Sequence, residues 1–443
     1  MDLRHVGWIT NRAFSMCTAT ALALYGCQAV TDADRLAPLA DVQASTVGAF
    51  TVTITDLGTL GGLASEGFSI NDGGQVLGRS QTASGEFHAF LWEDGTMSDL
   101  GAFYPRDLNN AGQVAGFANS HAVLWKEGQL TDLGTLGGAW SYPAGCSFVF
   151  GPIDCGGFSS APFRPFYTWA RAINDSGHII GVSATASGEQ HGFVWHMGVM
   201  TDLGTLGGAW SEARAINARG QVVGMSQTVS GGAHGFLWEN GTMTDLGTFQ
   251  PQDINARGQI AGQDLFEFVG EFGETFQARH AAVWHDGTVT DLGAVQSNYQ
   301  WSGAQAINDR GQVMGWTNDI NIQAAFIWDA GVMTRLPNAP RGADDYFPNA
   351  MSQRSHVVAW GDVPTCVANN CYQDEHAVLW RDGVAIDLGT LPNPTPPEAN
   401  GLCLKCSSPQ GINTRGDVVG TAYSSDPAYF NQAHAVLWTI RPK

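Results

Sequence analysis

Seven histidines, His88, His121, His191, His234, His280, His376 and His434, each stand four residues before a tryptophan. Imidazoles at so regular a spacing first raise the question of metal binding. Ligands must converge to about 2 Å on one ion, however, and one ring per repeat spreads them through a fold. No metal site is expected. A recurrent acid offers each ring a partner instead: Asp56, Asp99, Asp132, Asp202, Asp245, Asp291 and Asp387, all followed by Leu-Gly. A His–Asp hydrogen bond within or between repeats is the predicted use.

Few other residues could do chemistry. Glu66 and Glu212 occupy equivalent loops joining one repeat to the next, where paired carboxylates could serve as acid and base on a glycoside. They belong to different repeats, and nothing in the spacing brings them together. The chain has no Gly-x-Ser-x-Gly elbow, no His-Glu-x-x-His helix and no phosphate loop. No catalytic residue and no cofactor is assigned, and a binding role is preferred to an enzymatic one. Trp140, Trp210 and Trp301, each followed by Ser, could stack on sugars or an aromatic peptide, or plug gaps between repeats.

The element that must position these residues is a repeated unit. Its phrase is Ala-Ile-Asn-x-x-Gly-Gln-Val-Val-Gly, a variable stretch, His-Ala-Phe-Leu-Trp, an Asp-Gly or Asn-Gly turn, and Met-Thr-Asp-Leu-Gly. The tryptophan falls at Trp92, Trp125, Trp195, Trp238, Trp284, Trp328, Trp380 and Trp438, giving eight units. Each reads as four short strands, a to d, with tight turns after a and after c. Nearly continuous apolar strands imply sheets covered on both faces, with the tryptophans as core spokes. Unit lengths run from 33 residues (Asp99 to Asp132) to 70 (Asp132 to Asp202), which a solenoid would tolerate badly.

The chain enters on a lone strand d, Thr51–Gly58, and leaves on a lone strand c ending at Trp438. The two fragments complete the eighth unit. The predicted fold is therefore all-β, an eight-bladed β-propeller of four-stranded blades closed by the N-terminal strand. The a–b and c–d turns then share one face, and the variable b–c and d–a loops share the other. Binding is expected at the loop-rich face.

The motif resembles the extracellular HAF-repeat family, in segments such as His88-Ala89-Phe90, His121-Ala122-Val123 and His191-Gly192-Phe193. The likeness spans residues 56 to 438. It implies an exported bacterial repeat protein and brings no established chemistry.

Export is also legible at the N-terminus. Arg4 and Arg12 precede a small and apolar run, Ala13 to Leu24, ending at Gly26-Cys27. Residues 1–27 read as a signal peptide, either of lipoprotein type with Cys27 lipidated or of the ordinary cleaved type. Residues 28–50 read as a linker and 51–443 as a single domain. Six further cysteines pair locally as Cys146 with Cys155, Cys366 with Cys371 and Cys403 with Cys406, expected to be loop disulfides.

The charge of −20, from 21 Lys and Arg against 41 Asp and Glu, argues against nucleic acid and anionic membrane as partners. Membrane contact is expected only through a lipid anchor. The expected molecule is an extracellular or envelope monomer that binds or scaffolds a glycan or protein. A propeller glycosidase or lyase and a purely structural envelope protein are the alternatives.

Overall fold

The computed structural model describes residues 42–47, 49–138, 168–269, 273–294, 301–319, 322–338, 346–367, 370–391, 406–424 and 432–443. Among them all regular structure is β-strand, with no helix. The eight strands a are Gly61–Ile70, Tyr104–Leu108, Trp169–Ile173, Gly207–Ile216, Gln250–Ile254, Ser302–Ile307, Tyr346–Met351 and Ser407–Ile412. Each opens a set of four antiparallel strands, numbered here as units 1 to 8. The turn chemistry is as the sequence requires. Asp94 and Gly95, Asn240 and Gly241, and Asp286 and Gly287 all adopt positive φ, which matches the twist of a two-residue hairpin.

Three features depart from eight uniform four-stranded sheets. Residues 28–50, read as a linker, contain a strand, Val42–Val47, which pairs with Phe50–Asp56 and makes the last sheet five-stranded. Units 3 and 4 join into one eight-stranded sheet through a single parallel pair, Gln190 opposite Trp210. The b–c hairpin of unit 5 is long, running from Ile260–Val269 into Thr275–His285, and carries exposed Leu265, Val269 and Phe276.

The chain ends meet as expected. Phe50–Asp56 pairs antiparallel with Gln432–Pro442, in register from Phe50 opposite Pro442 to Asp56 opposite Val436. Each unit packs against the next in chain order, and strand a of unit 1 packs against all three of Ser407–Ile412, Val418–Ser424 and Gln432–Pro442.

The core lies between neighbouring units. Phe236 of unit 4, for example, shares a cluster with Ile180 and Val194 of unit 3. Phe90, Phe193, Phe236 and Phe326, two residues before the repeat tryptophan, are fully buried. Each contributes about 2–3 kcal/mol relative to an exposed ring. The tryptophans are lesser spokes than expected. Trp195, Trp380 and Trp438 are buried, and the other five are half-buried.

Strand a slips register at one equivalent residue in every unit, for instance between Gly67 and Ser69, Pro105 and Asp107, and Ala213 and Ala215. Such a bulge leaves the extra residue outside the ladder. It also presses the backbone onto strand b, where most units carry glycine. A Cβ on Gly224 would lie 2.0 Å from the Glu212 carbonyl oxygen and 2.8 Å from the Phe236 ring.

Candidate functional site

The seven histidines have the partners expected of them. His88, His191, His234, His280 and His376 place Nδ1 about 2.9 Å from the aspartate eleven residues on. The His121–Asp132 distance is 2.7 Å. The same aspartate also accepts the backbone N–H of the following Gly, as Gly247 donates to Asp245 at 2.8 Å. The Asp-Leu-Gly phrase is thus a clasp between strands c and d. At Asp132 burial pushes the carboxyl up, but the Gly134 N–H and His121 together hold it below its usual value. Among the described residues no group of three or more His, Cys, Asp and Glu is placed to hold a metal ion.

The turn asparagines do more than turn. Asn71 Nδ2 donates to the Asn109 carbonyl at 3.1 Å, Asn109 to Asn174, Asn174 to Asn217, Asn217 to Asn255, and Asn255 to Asn308. Asn413 donates to the Asn71 carbonyl at 3.2 Å, linking unit 8 to unit 1. Unit 7 has Ser352 in place of asparagine, and there Asn308 donates to Ser355 Oγ instead. These turns, from all eight units, line one cavity of about 450 Å³. It is acidic as well as amide-lined. Asp107 and Asp253 project into it, each accepting two backbone N–H groups, one of them from the next unit. Burial pushes Asp107 up to about 6 and Asp253 in the same direction.

The opposite, loop-rich ends of strands a have different chemistry. Glu66 and Glu212, expected in loops, lie inside strands a of units 1 and 4. The structure does not bring them together; each meets an arginine. Glu66 holds Arg79 by two hydrogen bonds, 2.9 and 3.1 Å, and Glu212 lies 3.4 Å from Arg171. Around them runs a layer of rings and guanidinium groups. Phe68 stacks on Tyr104 at 5.6 Å and Tyr104 on Phe117 at 5.1 Å. Arg79 sits over Phe87 and Tyr104, and Arg106 over Tyr104 and Trp169 at 5.5 and 4.8 Å. Arg171 donates to the Arg214 carbonyl, and Arg214 to that of Pro251.

Trp301 is 53% exposed and Trp210 half-buried. The serine after each is a staple: Ser211 and Ser302 Oγ accept the Gly192 and Ala281 N–H groups and donate to Gly204 and Gly293 carbonyls. Trp140, Cys27, Cys146, Cys155 and Cys403 lie outside the described residues. Cys366 and Cys371 are directly opposed in register. Cys406 is buried and disulfide-bonded.

Sequence reasoning missed Arg79, Tyr104, Arg106, Trp169, Arg171 and Arg214. Part of the signal was present, since Arg106, Arg171 and Arg214 all stand three residues before the turn asparagine. The bulge that frees this position from the strand ladder has no sequence mark of its own.

No protein-family model matches the chain, and no curated protein matches it. Among solved structures it is similar to an acylaminoacyl peptidase of Pyrococcus horikoshii, at 13% identity and TM-score 0.43, covering 75% of this chain and 53% of that one. It is also similar to a TolB of Agrobacterium tumefaciens, at 10% identity and TM-score 0.33, covering 55% and 85%. The SapL1 lectin, described in complex with α-methyl fucoside, matches at 9% identity and TM-score 0.27, covering 74% and 96%. The chain spans between half and three-fifths of the peptidases it matches.

Proposed function

We propose that this chain is an exported binding protein, a closed eight-bladed β-propeller that takes a glycan or protein ligand at its loop-rich end. Closure is supported by the pairing of Phe50–Asp56 with Gln432–Pro442 and by one cavity lined from all eight units. Export is supported by the basic and apolar leader before Cys27 and by the HAF-type repeat. With its sheet edges short or paired, the ring acts as a monomer.

One observation carries the binding role. The loop-rich ends of units 1 to 4 present rings and guanidinium groups in a continuous, partly exposed layer. Flat rings beside directional donors are what a sugar or peptide site is made of. The carboxylates of that layer, Glu66 and Glu212, are committed to arginines and belong to separate units, an arrangement unlike a glycosidase pair.

Glycan-array screening of the exported chain, with Trp169→Ala and Trp301→Ala variants, tests this reading. Binding that is lost in a variant whose thermal unfolding is unchanged supports it. Hydrolysis or elimination of a polysaccharide by the chain would overturn it in favour of an enzyme.

A further inference from the structure

The bulged residues of the eight strands a divide by chemistry. In unit 1 it is Phe68, and in units 2, 3 and 4 they are Arg106, Arg171 and Arg214. In units 5 to 8 they are Gln252, Gln305, Asn349 and Gln410, the last three exposed. Three cations on consecutive units are unusual in a chain of net charge −20. The charges of Arg214 and Arg106 both act on Arg171, which places the three within electrostatic reach of one another.

Arg106 is the distinctive member. Its guanidinium is exposed and lies over the faces of Tyr104 and Trp169, on two different units. Arg79 is neutralised by Glu66, and Arg171 is offset by Glu212. No carboxylate stands within ion-pair distance of Arg106 among the described residues. A guanidinium held by its faces keeps its N–H edge for an in-plane, two-pronged partner. Carboxylates and sulfates have that geometry. The amides of units 5 to 8 offer the donors and acceptors that hydroxyl groups need.

We infer that the loop-rich mouth binds an acidic carbohydrate, whose carboxylate or sulfate pairs with Arg106 between Tyr104 and Trp169 while the amides of units 5 to 8 receive its hydroxyls. This rests on the binding role proposed above and specifies its ligand. A peptide acid would satisfy Arg106 but would leave the ring of amides unused.

The test is calorimetry of the exported chain with tetragalacturonate, a sulfated tetrasaccharide, a neutral galactose tetrasaccharide and a glutamate tetrapeptide. The acidic sugars are expected to bind at least tenfold tighter than the neutral one, with affinity falling as salt rises. Arg106→Gln loses that preference, and Arg106→Lys restores little of it because a point charge lacks the planar fork. Preference for tetragalacturonate or for the sulfated sugar identifies the anion and supports the inference in either case. Neutral sugar bound as tightly, or an unaffected Arg106→Gln variant, overturns the anionic assignment while leaving a binding role intact. Glutamate peptide bound as tightly overturns the carbohydrate assignment, and failure to bind any ligand on the wider array overturns both.

Discussion

His434 Nδ1 lies 2.7 Å from Asp56 Oδ2, a hydrogen bond across 378 positions of sequence. Its six counterparts join residues only eleven apart, as in His234 and Asp245. The clasp that elsewhere fastens strand c to its own strand d here fastens the end of the chain to its beginning. The same is true of the asparagine ladder, where Asn413 reaches the Asn71 carbonyl. Unit 8 is therefore assembled from both termini, with the same side chains that complete most of the other units.

The clasp should cost more to break where it is dry. The His280 side chain is fully buried, whereas that of His234 is 31% exposed. Asp291→Ala leaves a buried imidazole N–H without its acceptor and should destabilise by about 2–3 kcal/mol. Asp245→Ala, where water can replace the carboxylate, should cost about 1 kcal/mol. Denaturant midpoints of the two variants measure the difference. An Asp245→Ala variant as stable as the parent would show that the exposed clasps do not hold the fold.

The bulge makes a sharper demand on strand b. Gly224→Ala puts a methyl 2.0 Å from the Glu212 carbonyl, against backbone rather than a side chain that could turn away. A loss of about 3 kcal/mol or more, or failure to fold, is expected. Gly241→Ala in the exposed hairpin turn meets no atom within 4 Å but keeps a φ of +83°, so its cost should be backbone strain of only about 1–2 kcal/mol. Equal effects in thermal melts would remove the close approach as the reason for glycine in strand b.

Acid should relieve one cost of the turn-lined cavity. Burial pushes Asp107 up to about 6, against hydrogen bonds from Ile173 and Leu108 that hold it down, and the charge of Asp175 raises it further. The folded value lies above the unfolded one, so the folded state takes up the proton first as pH falls. This group's contribution to stability therefore rises between pH 7 and pH 5 and is lost again as pH rises through about 6. Carbon-13 titration of labelled aspartate should find one carboxyl with a midpoint near 6 that disappears in Asp107→Asn. A full set of aspartates titrating near 4 would contradict it.

Much of this architecture was legible in the sequence. Asp-Gly and Asn-Gly hairpins, eight repeat tryptophans and the divided unit led to the observed strand order and to the meeting of the termini. The His–Asp clasp followed from a fixed pair of residue types in seven of the eight units, unit 6 having Ala324 and Arg335 instead. The asparagine ladder did not follow, because a turn asparagine has an adequate local role and its second bond goes to a different unit. The arginine and aromatic layer was hidden for a similar reason. Tyr104, Arg106 and Trp169 are brought together by unit-to-unit packing and a register slip, neither of which has a local sequence period.

The proposed closure of the chain on itself can be tested by a crosslink. Thr53 and Thr439 are opposed in the register that joins the ends. A Thr53→Cys, Thr439→Cys double variant should oxidise to a disulfide that ties the chain into one large loop. A species of raised mobility is expected on a non-reducing gel, reversed by reductant, with the peptides containing positions 53 and 439 linked in the mass spectrum. A folded double variant that keeps both introduced thiols free under the same oxidation would contradict closure.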